Sequence, residues 1–157
     1  MGHDLLTGSP FSTNLLGLRS EVGRNGAILT FAYTAAGTGA DLRRPWSGNP
    51  VYTGSLLLGF DRAGEQATLI KLSYDFSGLG LKGVSAYAHY SHGWTSAGIS
   101  PLSENELDFS VQWRPEWQAL KGLWLRGIYC RAETTQAGTQ TSLRDLRLIA
   151  NYTFLLF

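Results

Sequence analysis

Ser85, His89 and Asp75 are side chains of the types from which a nucleophilic hydrolase is assembled: a hydroxyl to attack, an imidazole to take its proton, a carboxylate to orient the ring. A working site would put His89 within hydrogen-bond reach of a serine and a carboxylate. No nucleophile elbow surrounds Ser85, so no enzyme is expected. His89 and His92 lie three apart, which on a strand turns them to opposite faces, and Cys130 is the single cysteine. Neither a metal-binding histidine pair, a cysteine cluster nor an intramolecular disulfide is therefore expected. Gly78 and Gly80 belong to a turn rather than to a phosphate loop, so no cofactor is expected either. What remains is a scatter of charges, Lys71, Asp75, Glu106, Asp108, Arg114, Arg126 and Arg147, in phase with the polar positions of alternating segments.

Those segments are strands. Residues 106–114 set Leu107, Phe109, Val111 and Trp113 against Glu106, Asp108, Ser110, Gln112 and Arg114 without exception, a period of two that gives one apolar and one wet face. Residues 68–76 do the same with Ile70, Leu72, Tyr74 and Phe76 opposite Lys71, Ser73 and Asp75. Weaker alternation marks 14–22, 27–35, 84–91 and 123–130, and the last stretch, 141–157, carries Leu146, Leu148, Ala150, Tyr152, Phe154 and Leu156 on one face. Pro115 ends its strand because it cannot donate to a ladder. The Asn-Gly of 23–26 is a tight hairpin signal.

The chain of 157 residues is one domain, 1–157, and its 19 glycines and 12% aromatic content suit an all-β protein with many turns. No window approaches the run of about 18 apolar residues that a membrane helix requires. The 13 basic residues are scattered and net charge is +1, so no nucleic acid partner is expected. Links between strands alternate between short turns (23–26, 77–83, 115–122) and long polar loops (36–64, 92–105, 132–142). Aromatics on the apolar faces gather at both strand ends. This asymmetry and these two belts are those of an antiparallel transmembrane β-barrel in an outer membrane, with the lipid bilayer as its partner. Residues 54–60 alternate briefly and are assigned to the long inward or extracellular loop 36–64, leaving about seven strands of roughly 9–11 residues. Counting them as an eighth would give a small closed barrel binding one ligand.

Residues 61–90, DRAGEQATLIKLSYDFSGLGLKGVSAYAHY, resemble the OprD family of outer-membrane porins, in which an RAGE segment, an LSYDF strand, a short Leu-Gly turn and a G-V-S-A-Y-A strand follow in this order. LKGLWLR at 120–126 and RLIANYTFLLF at 147–157 resemble that family's last two strands. The resemblance implies a partial barrel, the carboxy-terminal part of a larger porin of about 18 strands, with an export signal in a missing amino-terminal part. It implies passive, substrate-selective diffusion of small charged solutes such as amino acids, small peptides and carboxylates. It also implies that the terminal strand ending at Phe157 is the address for the barrel-assembly machinery. Pore-lining residues carried over are Arg126 and Arg147, with Lys71, Asp75, Glu106, Asp108 and Arg114 on the same wet faces. His89 stands where that pattern has arginine, and Arg43, Arg44 and Arg62 lie in a loop that such porins fold into the channel. Opposed fixed charges of this kind hold a carboxylate or zwitterion weakly enough to release it. The alternative for a chain of this length is a truncated, non-functional fragment with two open sheet edges.

Overall fold

The computed structural model describes residues 12–43, 51–95 and 101–154. The alternating segments form seven strands: β1 (Leu15–Arg24), β2 (Ala27–Ala36), β3 (Glu65–Asp75), β4 (Val84–Thr95), β5 (Leu102–Trp113), β6 (Leu123–Gln136) and β7 (Thr139–Tyr152). They make one sheet in chain order, and each pairs antiparallel with its sequence neighbour. Among the described residues β1 and β7 do not pair with each other, so the sheet is an open section of barrel wall. The small closed eight-stranded barrel does not form. Residues 54–60 run as loop, because their alternating Leu56, Leu58 and Phe60 find no partner strand.

Two expected long loops prove shorter. β4 continues to Thr95 and β5 begins at Leu102, within the expected loop 92–105. β6 and β7 likewise run on through the expected loop 132–142 to a two-residue turn at Ala137 and Gly138, whose φ values of 48° and 81° are those of a tight hairpin. The reason is physical. Beyond the apolar band the β6–β7 end meets water on both faces and the inner face of the β4–β5 end meets the loop through Gly93 and Glu104, so the hydrophobic period disappears although the hydrogen-bond ladder continues.

One face of the sheet carries Leu18, Val22, Phe31, Ile70, Leu72, Phe109, Val111, Leu146 and Leu148, all exposed, with Leu148 at 83%. A contiguous apolar surface of this extent is intolerable in water and is what hydrocarbon requires. Its edges are amphipathic. At the short-turn end Tyr74 packs on Phe76, Trp113 on Trp117 and Tyr152 on Phe154, with ring centroids 4.8, 5.7 and 5.9 Å apart. Toward the other end the hydroxyls of Tyr33 and Tyr90 donate to Gln66 and Asn105 at 2.8 and 2.6 Å, and an Arg131–Glu133 ion pair marks the same boundary on β6.

The opposite face holds the polar residues, and the link from β2 to β3 lies against it. Thr53 meets Thr34 at 2.6 Å, and Ser55 donates to Ser91 at 2.9 Å. Phe60 is 2% exposed, lodged against Gly93 of β4. What core this wall has lies here, between the sheet and its own loop.

Candidate functional site

Two layers occupy the polar face. The first, toward the long-loop end, is the seat of the inward segment. Glu106, fully buried, accepts the backbone N–H groups of Leu57 and Leu58 at 2.8 and 2.6 Å, one on each carboxylate oxygen. Glu65 accepts from the Arg62 N–H at 3.0 Å, while the Arg62 guanidinium pairs with buried Glu104 at 2.8 Å. Asp41 accepts from the Ala63 N–H at 2.7 Å, closing the loop on itself. Carboxylates aligned on β3 and β5 thus satisfy loop amides that would otherwise be stranded away from water.

The second layer lies nearer the short turns and is open. Lys71 Nζ sits 4.4 Å from the centre of the Tyr87 ring, and Arg126 donates to the Tyr87 hydroxyl at 3.0 Å and to Ser110 Oγ at 2.9 Å. Two cations therefore flank one tyrosine, each held by face or hydroxyl contact rather than by a carboxylate. Beside them Ser73, Asp75, Ser85, Tyr87, Gln112 and Arg126 line a groove of about 330 Å³. The flanking charges are already matched: Arg19 pairs with Glu21 at 2.6 Å, and Arg147 donates through Nε to Asp145 at 2.8 Å.

The sequence-predicted residues divide accordingly. Lys71 and Arg126 come together, and Arg147 joins the same face with its acidic partner. Asp75 accepts from the Ser77 N–H at 2.8 Å, capping a single turn of helix at Phe76–Leu79. Arg114 lies over the Trp124 ring at 5.4 Å, beyond the end of β5. Glu106 and Asp108 share the inward phase but are fully buried beneath the loop, not presented to the open groove. Arg62 ties the loop to the wall, Arg43 lies where Leu42 donates to the Asp61 carbonyl at 2.8 Å, and Arg44 falls outside the described residues, as does Phe157. Tyr87, the pivot of the basic pair, carries one signal in the sequence, an aromatic ring at a polar-phase position of β4.

His89 is buried and does meet a serine and a carboxylate, Ser55 Oγ at 3.0 Å and Asp108 Oδ2 at 3.2 Å, but both approach the same ring nitrogen, Nε2. A catalytic triad needs the carboxylate on one nitrogen and the nucleophile on the other. Ser85 instead accepts from Gln112 at 2.8 Å, so the trio of Ser85, His89 and Asp75 is not assembled.

An antiparallel wall, oily on one face, charged on the other, with its own loop packed against the charged face, defines a section of a transmembrane β-barrel. The chain belongs to the OprD family of outer-membrane porins, whose family model matches residues 12–156. No curated protein sequence matches it. Among solved structures it is similar to OccK2 (OpdF) of Pseudomonas aeruginosa (22% identity, TM-score 0.80, 89% of this chain and 39% of that one). It is likewise similar to a BenF-like porin of Pseudomonas fluorescens Pf-5 (18% identity, TM-score 0.78, 94% and 39%) and to OpdK of Pseudomonas aeruginosa with vanillate (19% identity, TM-score 0.74, 89% and 37%). OccK2 has also been solved in complex with glucuronate. The chain thus spans about two-fifths of the length of these porins.

Proposed function

We propose that this chain supplies the wall, the inward loop and a basic rung of a channel for passive diffusion of small carboxylate-bearing solutes. The observation that carries the reading is the Lys71–Tyr87–Arg126 grouping. Arg126 lines the groove and Lys71 stands over the Tyr87 ring beside it; neither makes an ion pair among the described residues, Glu21 within electrostatic reach of Lys71 being paired with Arg19, and Arg147 is already neutralised. A carboxylate arriving from the loop side meets them next, offered one fork of donors and one ammonium. Glucuronate and vanillate, found with OccK2 and OpdK, are both carboxylates. Arg43, Arg62 and His89 act on the loop's position, and Asp75 and Arg114 on the exit at the short-turn end.

In planar bilayers, glucuronate or vanillate added to the porin is expected to interrupt single-channel current in a concentration-dependent manner, whereas the corresponding uncharged alcohols leave it unaltered. Equal interruption by acid and alcohol would remove the basis for carboxylate selectivity.

A further inference from the structure

Beneath the inward loop, Glu106 and Asp108 of β5 and Cys130 of β6 converge, with one ligand-type atom from each within 4.8 Å of the others, all three residues buried. The ladder explains the meeting: Asp108 pairs directly with Cys130 on one side and with His89 on the other, so all three side chains share a rung. Both oxygens of Asp108 are buried without a hydrogen-bond partner, and its side chain is 1% exposed. His89 Nε2 is 3.2 Å from Asp108 Oδ2, but its hydrogen-bonding contact is with Ser55 Oγ at 3.0 Å. Arg147, which lies within electrostatic reach of Asp108 and Cys130, is engaged by Asp145, and Arg62 by Glu104. Beside these two adjacent buried carboxylates stands a single imidazole, that of His89, whose one positive charge at most leaves desolvated negative charge still to be neutralised.

We infer that Glu106, Asp108, Cys130 and His89 form a binding site for a divalent transition-metal cation of the borderline class, with Zn²⁺ as its representative. One thiolate, one imidazole and two carboxylate oxygens are the donor types such an ion takes in four-coordinate sites. Those sites hold ligand atoms roughly 3.5 Å apart, so Glu106, Asp108 and Cys130 need to draw together by only about 1 Å through side-chain rotation, and His89 Nε2 already stands 3.2 Å from Asp108 Oδ2. Binding forms the metal–sulfur bond as the Cys130 thiol releases its proton to solvent. The consequence falls on the loop, since Glu106 also holds the Leu57 and Leu58 amides and His89 holds Ser55. A bound cation would fix the wall side of every one of these contacts.

The test uses the porin extracted in detergent from its own outer membrane, treated with chelator, dialysed and titrated with Co²⁺. One equivalent is expected to bind with a near-ultraviolet thiolate-to-cobalt charge-transfer band, and Zn²⁺ is expected to displace it. Cys130→Ser should abolish the band, and Asp108→Asn should weaken binding by at least about tenfold, in protein whose heat-modifiable gel mobility shows a folded barrel. Should either variant fail to fold, the wild-type band alone decides: its absence overturns the site, as does uptake unchanged in Cys130→Ser. The inference does not rest on solute selectivity. A porin that binds Co²⁺ through sulfur but ignores carboxylates retains this site and loses the transport reading, and the reverse result does the opposite.

Discussion

Gly93→Val is expected to raise single-channel conductance at least about twofold, because it evicts the side chain that docks the inward loop. A Cβ at position 93 would stand 2.5 Å from Phe60 Cδ1 and 2.6 Å from Glu65 Oε1, closer than real contacts permit. Phe60 cannot readily retreat. Its backbone lies at φ 51°, a left-handed conformation that costs a non-glycine residue about 1–2 kcal/mol. Burial of its ring, worth roughly 1.5–3 kcal/mol, offsets that strain and leaves a small surplus. Overpacking by a branched side chain costs about 1–3 kcal/mol, enough to consume the surplus. The ladder itself tolerates valine, so the barrel should keep its heat-modifiable mobility while the loop leaves the wall. Gly93→Ala is expected to act in the same direction and more weakly. Conductance unchanged in the valine variant would show that the loop is not held by this contact.

The second large effect is on solute recognition. Arg126→Ala is expected to weaken carboxylate interruption of the current by about 10–100-fold, as follows from loss of charge-assisted hydrogen bonds worth about 1.5–3 kcal/mol. Tyr87 and Ser110 lose their donor, but both border an open groove where water replaces it, so folding should be little affected. Arg126→Lys keeps the charge and loses the fork, and is expected to recover only part of the effect. Arg147→Ala should do less, because Asp145 already neutralises that guanidinium. Current interruption that is the same in wild type and Arg126→Ala would contradict the role given to the basic rung.

The sequence made the wall legible where one face meets oil. β3 and β5 alternate cleanly, since each outward position must be apolar and each inward one polar. It concealed the strand ends at 92–95, where the inner face meets the loop, and at 132–136, where the strand runs out into water, because neither setting imposes the pattern that hydrocarbon does. The loop seat was hidden for another reason. Glu106 has the same inward phase whether it lines open water or clamps Leu57 and Leu58, and only the path of residues 51–62 decides between them. The meeting of Asp108, Cys130 and His89 depends on register across three strands, which no spacing within one strand encodes. Gly93 was hidden with the strand end at 92–95, since a glycine marks close approach of another group only once it is known to lie inside a strand.

The central claim is that β5 presents one face to lipid and the other to the channel. Spin labels placed singly at 107 to 112, in protein whose Cys130 is replaced by serine and reconstituted in bilayers, test it through collision with oxygen and with a water-soluble nickel chelate. Labels at Leu107, Phe109 and Val111 are expected to favour oxygen, and those at Asp108, Ser110 and Gln112 to be shielded from oxygen, with the nickel chelate reaching Gln112 most. Oxygen maxima at the even positions, or no alternation at all, would contradict the account.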